Sequence, residues 1–152
     1  MELENKEQIQ AAVKDSTYVV HTAAYVTNDI PKDESKIVDP TVNGCLEILK
    51  NASKYGVRRV IITSSLASIC GIDPIERPET FNETFWTDLS WEGLKSPYEK
   101  AKTIAELKSW NFIKNLPSTE HRPELVTICP GFITGPCLSL GSSKSTSISS
   151  IK

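Results

Sequence analysis

The chain has 152 residues, of which 39% are hydrophobic and 24% are charged, and its formal net charge is -2. A chain of this length usually forms one domain, and such a composition is ordinary for globular proteins. Because there is no basic excess, we expect neither nucleic acid nor an anionic membrane surface as the main partner.

The N-terminal stretch MELENKEQIQAAVKD contains no apolar run, so we expect neither a signal peptide nor a membrane span. The cysteines form no Cys-x-x-Cys pair, and the chain has only 2 histidines. This pattern predicts free thiols and no metal site. A cytoplasmic protein is the expectation that follows.

Apolar periodicity in the first third of the chain predicts a helix, a strand and a second helix. The apolar positions from Leu3 to Val13 suit a short amphipathic helix. The run TYVVHTAAYV at 17–26 is typical of a strand that is buried on both faces. A helical repeat over 42–55 ends at Gly56, which predicts the C-terminal stop of the second helix.

The remainder of the sequence predicts a strand, a loop, a helix and a further strand. VIITSS at 60–65 is a second buried strand, and the aromatic-containing stretch 67–91 is a loop of the length often tied to function. A third helix follows Ser96, and LVTICPGF at 125–132 is a third strand, broken at Pro130. This alternation is typical of right-handed crossovers over a parallel sheet.

Ligands of such sheets bind outside the carboxyl ends of the strands. We therefore expect the segments 21–24, 63–65 and 130–131 to meet at one edge of the sheet. Hydroxyl residues end the second of these strands, but serines there could also cap the following turn. Pro-Gly is likewise a common strand terminator.

The third helix carries a pair of residues with chemical potential. Ser96, Pro97 and Glu99 form a capping box with proline at the first helical position, which explains the start of the helix without any function. Tyr98 and Lys102, four residues apart, share one face at roughly 5–6 Å between Cβ atoms. An ammonium that close favours the phenolate form of a tyrosine, which can then exchange a proton with a carbonyl or an alcohol. Ordinary helix construction accounts for the same pair.

Several collinear motifs carry a family resemblance across residues 7–138. They are VVHTAAYV, PTVNGCLEILKNASKYGVRRVIITSS, FNETFWTDLSW, SPYEKAKTIAELKSWNF and LVTICPGFITGP. Together they resemble the middle of an extended short-chain dehydrogenase/reductase, closest to the dihydroflavonol reductase and 3β-hydroxysteroid dehydrogenase group. The resemblance implies an α/β fold: a three-layer Rossmann-like parallel sheet with flanking helices, here incomplete because the first β-α-β half is missing.

The resemblance also implies site residues. Tyr98 would be the general acid/base, Lys102 would favour its phenolate and hold the nicotinamide ribose, and Ser65 would polarise the substrate oxygen, with Ser64 as the alternative. The implied cofactor-binding residues are Thr22, Ala23, Ala24, Thr63, Ser64, Tyr98, Lys102, Pro130 and Ile133. The implied cofactor is NAD or NADP, with NADP favoured, and the implied substrate is a small hydrophobic carbonyl or alcohol. No role is carried over to the aromatic loop.

The family's phosphate-binding Gly-x-x-Gly-x-x-Gly turn has no counterpart in the sequence. We therefore expect 1–138 to be a partial NAD(P)-binding domain and 139–152 to be a disordered polar tail. The strand at 18–21 would then have a bare edge, open to pairing with the same chain or a relative. A fragment of a reductase is the favoured interpretation. An inactive interaction module and a sugar-nucleotide epimerase or dehydratase are the alternatives.

Overall fold

A computed structural model describes residues 3–25 and 31–133, so the predicted polar tail at 139–152 lies outside the described residues. The elements in chain order are α1 (Lys6–Val13), β1 (Tyr18–His21), α2 (Ser35–Tyr55), β2 (Arg59–Thr63), a 3-10 turn (Leu66–Ser68), α3 (Pro97–Lys114) and β3 (Glu124–Ile128). None of the helices in these ranges has the length and apolar character that crossing a membrane requires.

The three strands form one sheet in the order β1-β2-β3, and both pairings are parallel. Val19 lies opposite Val60, which in turn lies opposite Leu125. Parallel neighbours need a crossover, and α2 and α3 supply these connections. The predicted Rossmann-like arrangement of a parallel sheet with flanking helices is confirmed.

Local sequence rules set several helix ends. The Ser96 side chain accepts a hydrogen bond from the Glu99 amide, as expected of an N-cap, and Pro97 is the first residue of α3. Gly56 follows α2 with φ 72°, and its amide donates to the Ala52 and Ser53 carbonyls. The predicted stop at Gly56 is therefore confirmed.

Two element boundaries differ from the predictions. α2 begins at Ser35 rather than near residue 42, although Pro40 lies inside it. Proline there removes one backbone hydrogen bond, and burial of Ile37 on the preceding turn stabilises the extra length. β1 ends at His21, so residues 22–25 of the predicted strand have no regular structure.

One hydrophobic core joins the helices to a single face of the sheet. Its members are Ile9, Val13, Val42, Cys45, Ile48, Leu49, Ala52, Val57, Val60, Ile62, Ala105 and Leu125. The alternate strand residues face away from this core, and Tyr18 and Val20 are 56% and 61% exposed. The prediction that β1 is buried on both faces is wrong for the described residues, because their helices cover only one face.

Candidate active site

The carboxyl ends of β2 and β3 are tied together by backbone hydrogen bonds. The Ser64 amide donates to the Ile128 carbonyl at 2.8 Å, and the Leu66 amide donates to the Pro130 carbonyl at 2.9 Å. His21 at the end of β1 pairs with Ile62, so it lies at the same edge. The structure thus brings the three predicted strand ends to one edge.

Lys102 lies beneath this edge, with only 7% of its surface exposed. Its ammonium donates to the Thr63 carbonyl at 3.0 Å, and Nζ is 5.9 Å from the centre of the Tyr98 ring. Tyr98 itself is half-buried in the first turn of α3. The predicted pair therefore shares one helix face at the end of β2, with its cation held by a backbone oxygen.

The two serines after β2 face in different directions. Ser64 is 4% exposed, and its hydroxyl donates to the Glu106 carboxylate. Ser65 is half-buried, and its side chain accepts a hydrogen bond from the Ala67 amide at 3.1 Å, which caps the 3-10 turn. In the structure, Ser65 therefore caps the following turn, which is the alternative interpretation of these serines. Its hydroxyl hydrogen is still available to a ligand, since a capping oxygen uses only a lone pair.

The remaining predicted cofactor residues directly follow β1 and β3 at the same edge of the sheet. Thr22 and Ala23 are exposed and Ala24 is half-buried, immediately after β1. Pro130 is half-buried and reaches the turn after β2 through its carbonyl. Ile133 is 69% exposed at the end of the described chain.

Sequence reasoning placed His21 at this edge but assigned no role to two buried polar residues near Lys102. His21 is 5% exposed at the end of β1, and Glu106 is 5% exposed one turn after Lys102. The signal for Glu106 was the four-residue spacing that runs from Tyr98 through Lys102 to Glu106 on one helix face. Only the alternation of the short β1 strand pointed to His21 as an inward residue.

His21 gives the fold a pH dependence. Burial, and next the Lys102 charge, lower the pKa of His21 from 6.5 to about 4. The unfolded chain therefore binds a proton between pH 6.5 and 4 that the folded chain does not, and stability falls as pH falls through that window, by up to about 3 kcal/mol. Urea unfolding at pH 7 and pH 4.5 should show a smaller loss for His21→Gln than for the unsubstituted chain. Equal losses in both proteins would contradict this role of His21.

The aromatic loop lines a groove of about 810 Å³ along β3. Its walls include Phe81, Phe85, Trp86, Trp110 and residues 125–129. Neither Tyr98 nor Lys102 lines it. The groove still borders the edge where the predicted catalytic residues lie, because Glu106 and Cys129, which follows β3, also line it.

Fold and site together define a Rossmann-like protein of the short-chain dehydrogenase/reductase type. The family model for the 3-beta hydroxysteroid dehydrogenase/isomerase family matches residues 1–119. The chain belongs to this family, within the extended short-chain dehydrogenase/reductases, as the sequence motifs predicted.

Named relatives agree with this assignment. The chain is 33% identical to cinnamoyl-CoA reductase 1 of Arabidopsis thaliana over 90% of its own length and 38% of that protein. It is 30% identical to dihydroflavonol 4-reductase of Dianthus caryophyllus, over 89% of this chain and 37% of that protein. A crystal structure of yeast methylglyoxal/isovaleraldehyde reductase Gre2 complexed with NADPH matches with a TM-score of 0.74 at 29% identity, covering 91% of this chain and 44% of Gre2. The chain thus spans less than half the length of these relatives.

Proposed function

We propose that the chain is the central part of an NAD(P)-dependent oxidoreductase that transfers a hydride between nicotinamide and a small hydrophobic carbonyl or secondary alcohol. The observation that carries the proposal is the buried Lys102 ammonium, held by the Thr63 carbonyl 3.0 Å away and lying 5.9 Å from the Tyr98 ring centre. A desolvated cation beside a phenol at a strand end is an arrangement suited to proton exchange with a reacting oxygen.

The residues at this edge fit the nicotinamide and ribose half of such a cofactor. An ammonium has three N–H donors, and the Thr63 carbonyl takes one of them, which leaves donors for ribose hydroxyls. Thr22 to Ala24 add short side chains along the same edge, and Pro130 and Ile133 extend it beyond β3. When bound, the nicotinamide would supply or accept the hydride. NADP is favoured because Gre2 was crystallised with NADPH.

In this proposal, Tyr98 gives a proton to the substrate oxygen during reduction and takes it back during oxidation. The Lys102 ammonium, 5.9 Å from the Tyr98 ring centre, stabilises negative charge that develops at this oxygen during the transfer. The Ser65 hydroxyl donates a hydrogen bond to the same substrate oxygen while its lone pair caps the turn at Ala67. Each role falls on a group that the fold holds at the edge.

The proposal also includes the cellular compartment of the protein and a pairing partner for its sheet. We place the protein in the cytoplasm, supported by free thiols at Cys45, Cys70 and Cys129 among the described residues. Within the same residues, β1 pairs only with β2, and Tyr18 and Val20 are exposed. This supports pairing of the outer β1 edge with another strand, from the same chain or from a relative.

A chimera tests the proposal. In this chimera, residues 6–133 replace the matching segment of yeast Gre2, and the rest of Gre2 is kept. The NADPH-dependent loss of a Gre2 aldehyde substrate is followed by absorbance. We expect turnover above that of an uncatalysed control. A chimera that is folded by circular dichroism and binds NADPH, yet turns over no substrate, would overturn the proposal.

A further inference from the structure

Glu106 is a buried carboxylate with a specific set of donors. It is 5% exposed, and it accepts hydrogen bonds from the Ser64 hydroxyl and from the Cys129 thiol, whose Sγ is 3.7 Å away. Burying a carboxylate is costly unless it is hydrogen-bonded. An apolar residue at this position would be enough to pack the helix. The presence of a carboxylate instead indicates a further role.

The first link from Glu106 runs to the turn that carries Ser65. The Ser64 and Ser68 hydroxyl oxygens are 2.8 Å apart. Since Ser64 has one hydroxyl hydrogen and donates it to Glu106, Ser68 must donate to Ser64. Ser68 is the last residue of the turn that Ser65 caps, and it is fully buried. Glu106 therefore fixes the backbone on both sides of Ser65.

The second link runs to the end of β3. The Cys129 thiol donates to Glu106 immediately after the strand, and the Ser64 amide donates to the Ile128 carbonyl. Burial, and next the Glu106 charge, raise the pKa of the Cys129 thiol, which keeps it protonated as a donor. One carboxylate thus joins the ends of two neighbouring strands.

The third link runs along α3 to Lys102, because Glu106 follows it by four residues on the same helix face and both residues are buried. Burial lowers the pKa of Lys102, whereas negative charge on Cys45, Glu106 or Cys129 would raise it. Burial raises the pKa of Cys45 to about 11, and the pKa of Cys129 is also raised, so both thiols are neutral near pH 7. His21, the facing group on β1, is neutral there as well. Glu106 is therefore the negative charge, among these facing groups, that offsets the cost of burying the ammonium.

We infer that Glu106 is a positioning residue, which holds the turn around Ser65 in place and shares the buried face of α3 with Lys102. This inference rests on the proposed function, because the two groups it serves are the proposed hydroxyl donor and the proposed cation. It assigns no contact between Glu106 and substrate or cofactor.

The test compares Glu106→Gln with Glu99→Gln in the full chain. Both substitutions remove one carboxylate from α3, but the half-buried Glu99 is not bonded to Ser64 or Cys129. With ¹³C-labelled lysine, NMR follows the titration of the Lys102 Cε signal. We expect its midpoint to fall by about half a pH unit or more in Glu106→Gln and to stay in place in Glu99→Gln.

Amide hydrogen exchange is the second measurement and requires no cofactor. Loss of the anchor should speed exchange of the Leu66 and Ala67 amides about tenfold in Glu106→Gln and leave them unchanged in Glu99→Gln. An unmoved Lys102 midpoint together with unchanged exchange would overturn the inference. If instead both change while the Gre2 chimera fails to turn over, the proposed function fails and the placement of Glu106 as an anchor stands.

Discussion

Replacing Tyr98 by phenylalanine in the Gre2 chimera is expected to lower turnover by about a thousandfold and to change NADPH affinity by less than about tenfold. The substitution removes only the phenolic oxygen, so the packing of the half-buried ring on α3 is kept. What is lost is the proton donor to the substrate oxygen. Steady-state kcat and a fluorescence titration with NADPH separate the two effects.

Tyr55→Phe is the matched control for this prediction. Tyr55 is also half-buried at a helix and also has a lysine ammonium near its ring, with Lys54 Nζ 5.1 Å from the centroid. It lies at the C-terminal end of α2, however, away from the carboxyl ends of the strands. We expect its kcat to match that of the unsubstituted chimera. Full turnover in the Tyr98→Phe chimera would remove Tyr98 from the mechanism.

Much of the fold was predictable because its causes are local. The period of apolar residues distinguished α2 from β1, and single residues such as Ser96 and Gly56 marked helix ends through hydrogen bonds to nearby amides and carbonyls. The pairing of Tyr98 with Lys102 followed from helix geometry alone. Parallel strand order then placed this helix start beside the carboxyl end of β2.

The features that were missed depend on contacts between distant parts of the chain. One partner of Glu106 is Ser64, 42 residues earlier in sequence, and no local pattern connects the two. Burial of His21 depends on the helices that pack over one face of the sheet, and Lys102 of α3 is close enough to lower its pKa. The exposure of Val20 on the other face has the same origin, because an apolar strand alone does not reveal how many of its faces are covered.

Replacing Lys102 by methionine should impair both binding and rate, in contrast to the loss of the Tyr98 hydroxyl. Methionine fills the buried space of the lysine stem, so packing beneath the strand ends is largely kept. The ammonium is lost, which removes the donor to the Thr63 carbonyl and the positive charge beside the Tyr98 ring. We expect NADPH affinity to fall about tenfold and kcat about a hundredfold, which makes about a thousandfold in kcat/KM.

Lys100→Met provides the comparison on the same helix. Lys100 forms an ion pair with Glu34 at 3.0 Å, and its side chain is 28% exposed, so its charge is paired with the start of α2, whereas the Lys102 ammonium is bonded to Thr63. Solvent-accessible pairs of this kind contribute about 0–1 kcal/mol, and neither NADPH affinity nor kcat should change beyond error. Both substitutions remove one positive charge from α3, so a difference between the two variants reports the position of the charge. Equal NADPH affinity in Lys102→Met and Lys100→Met would contradict the ribose-binding role of Lys102, and equal kcat would contradict its effect on Tyr98.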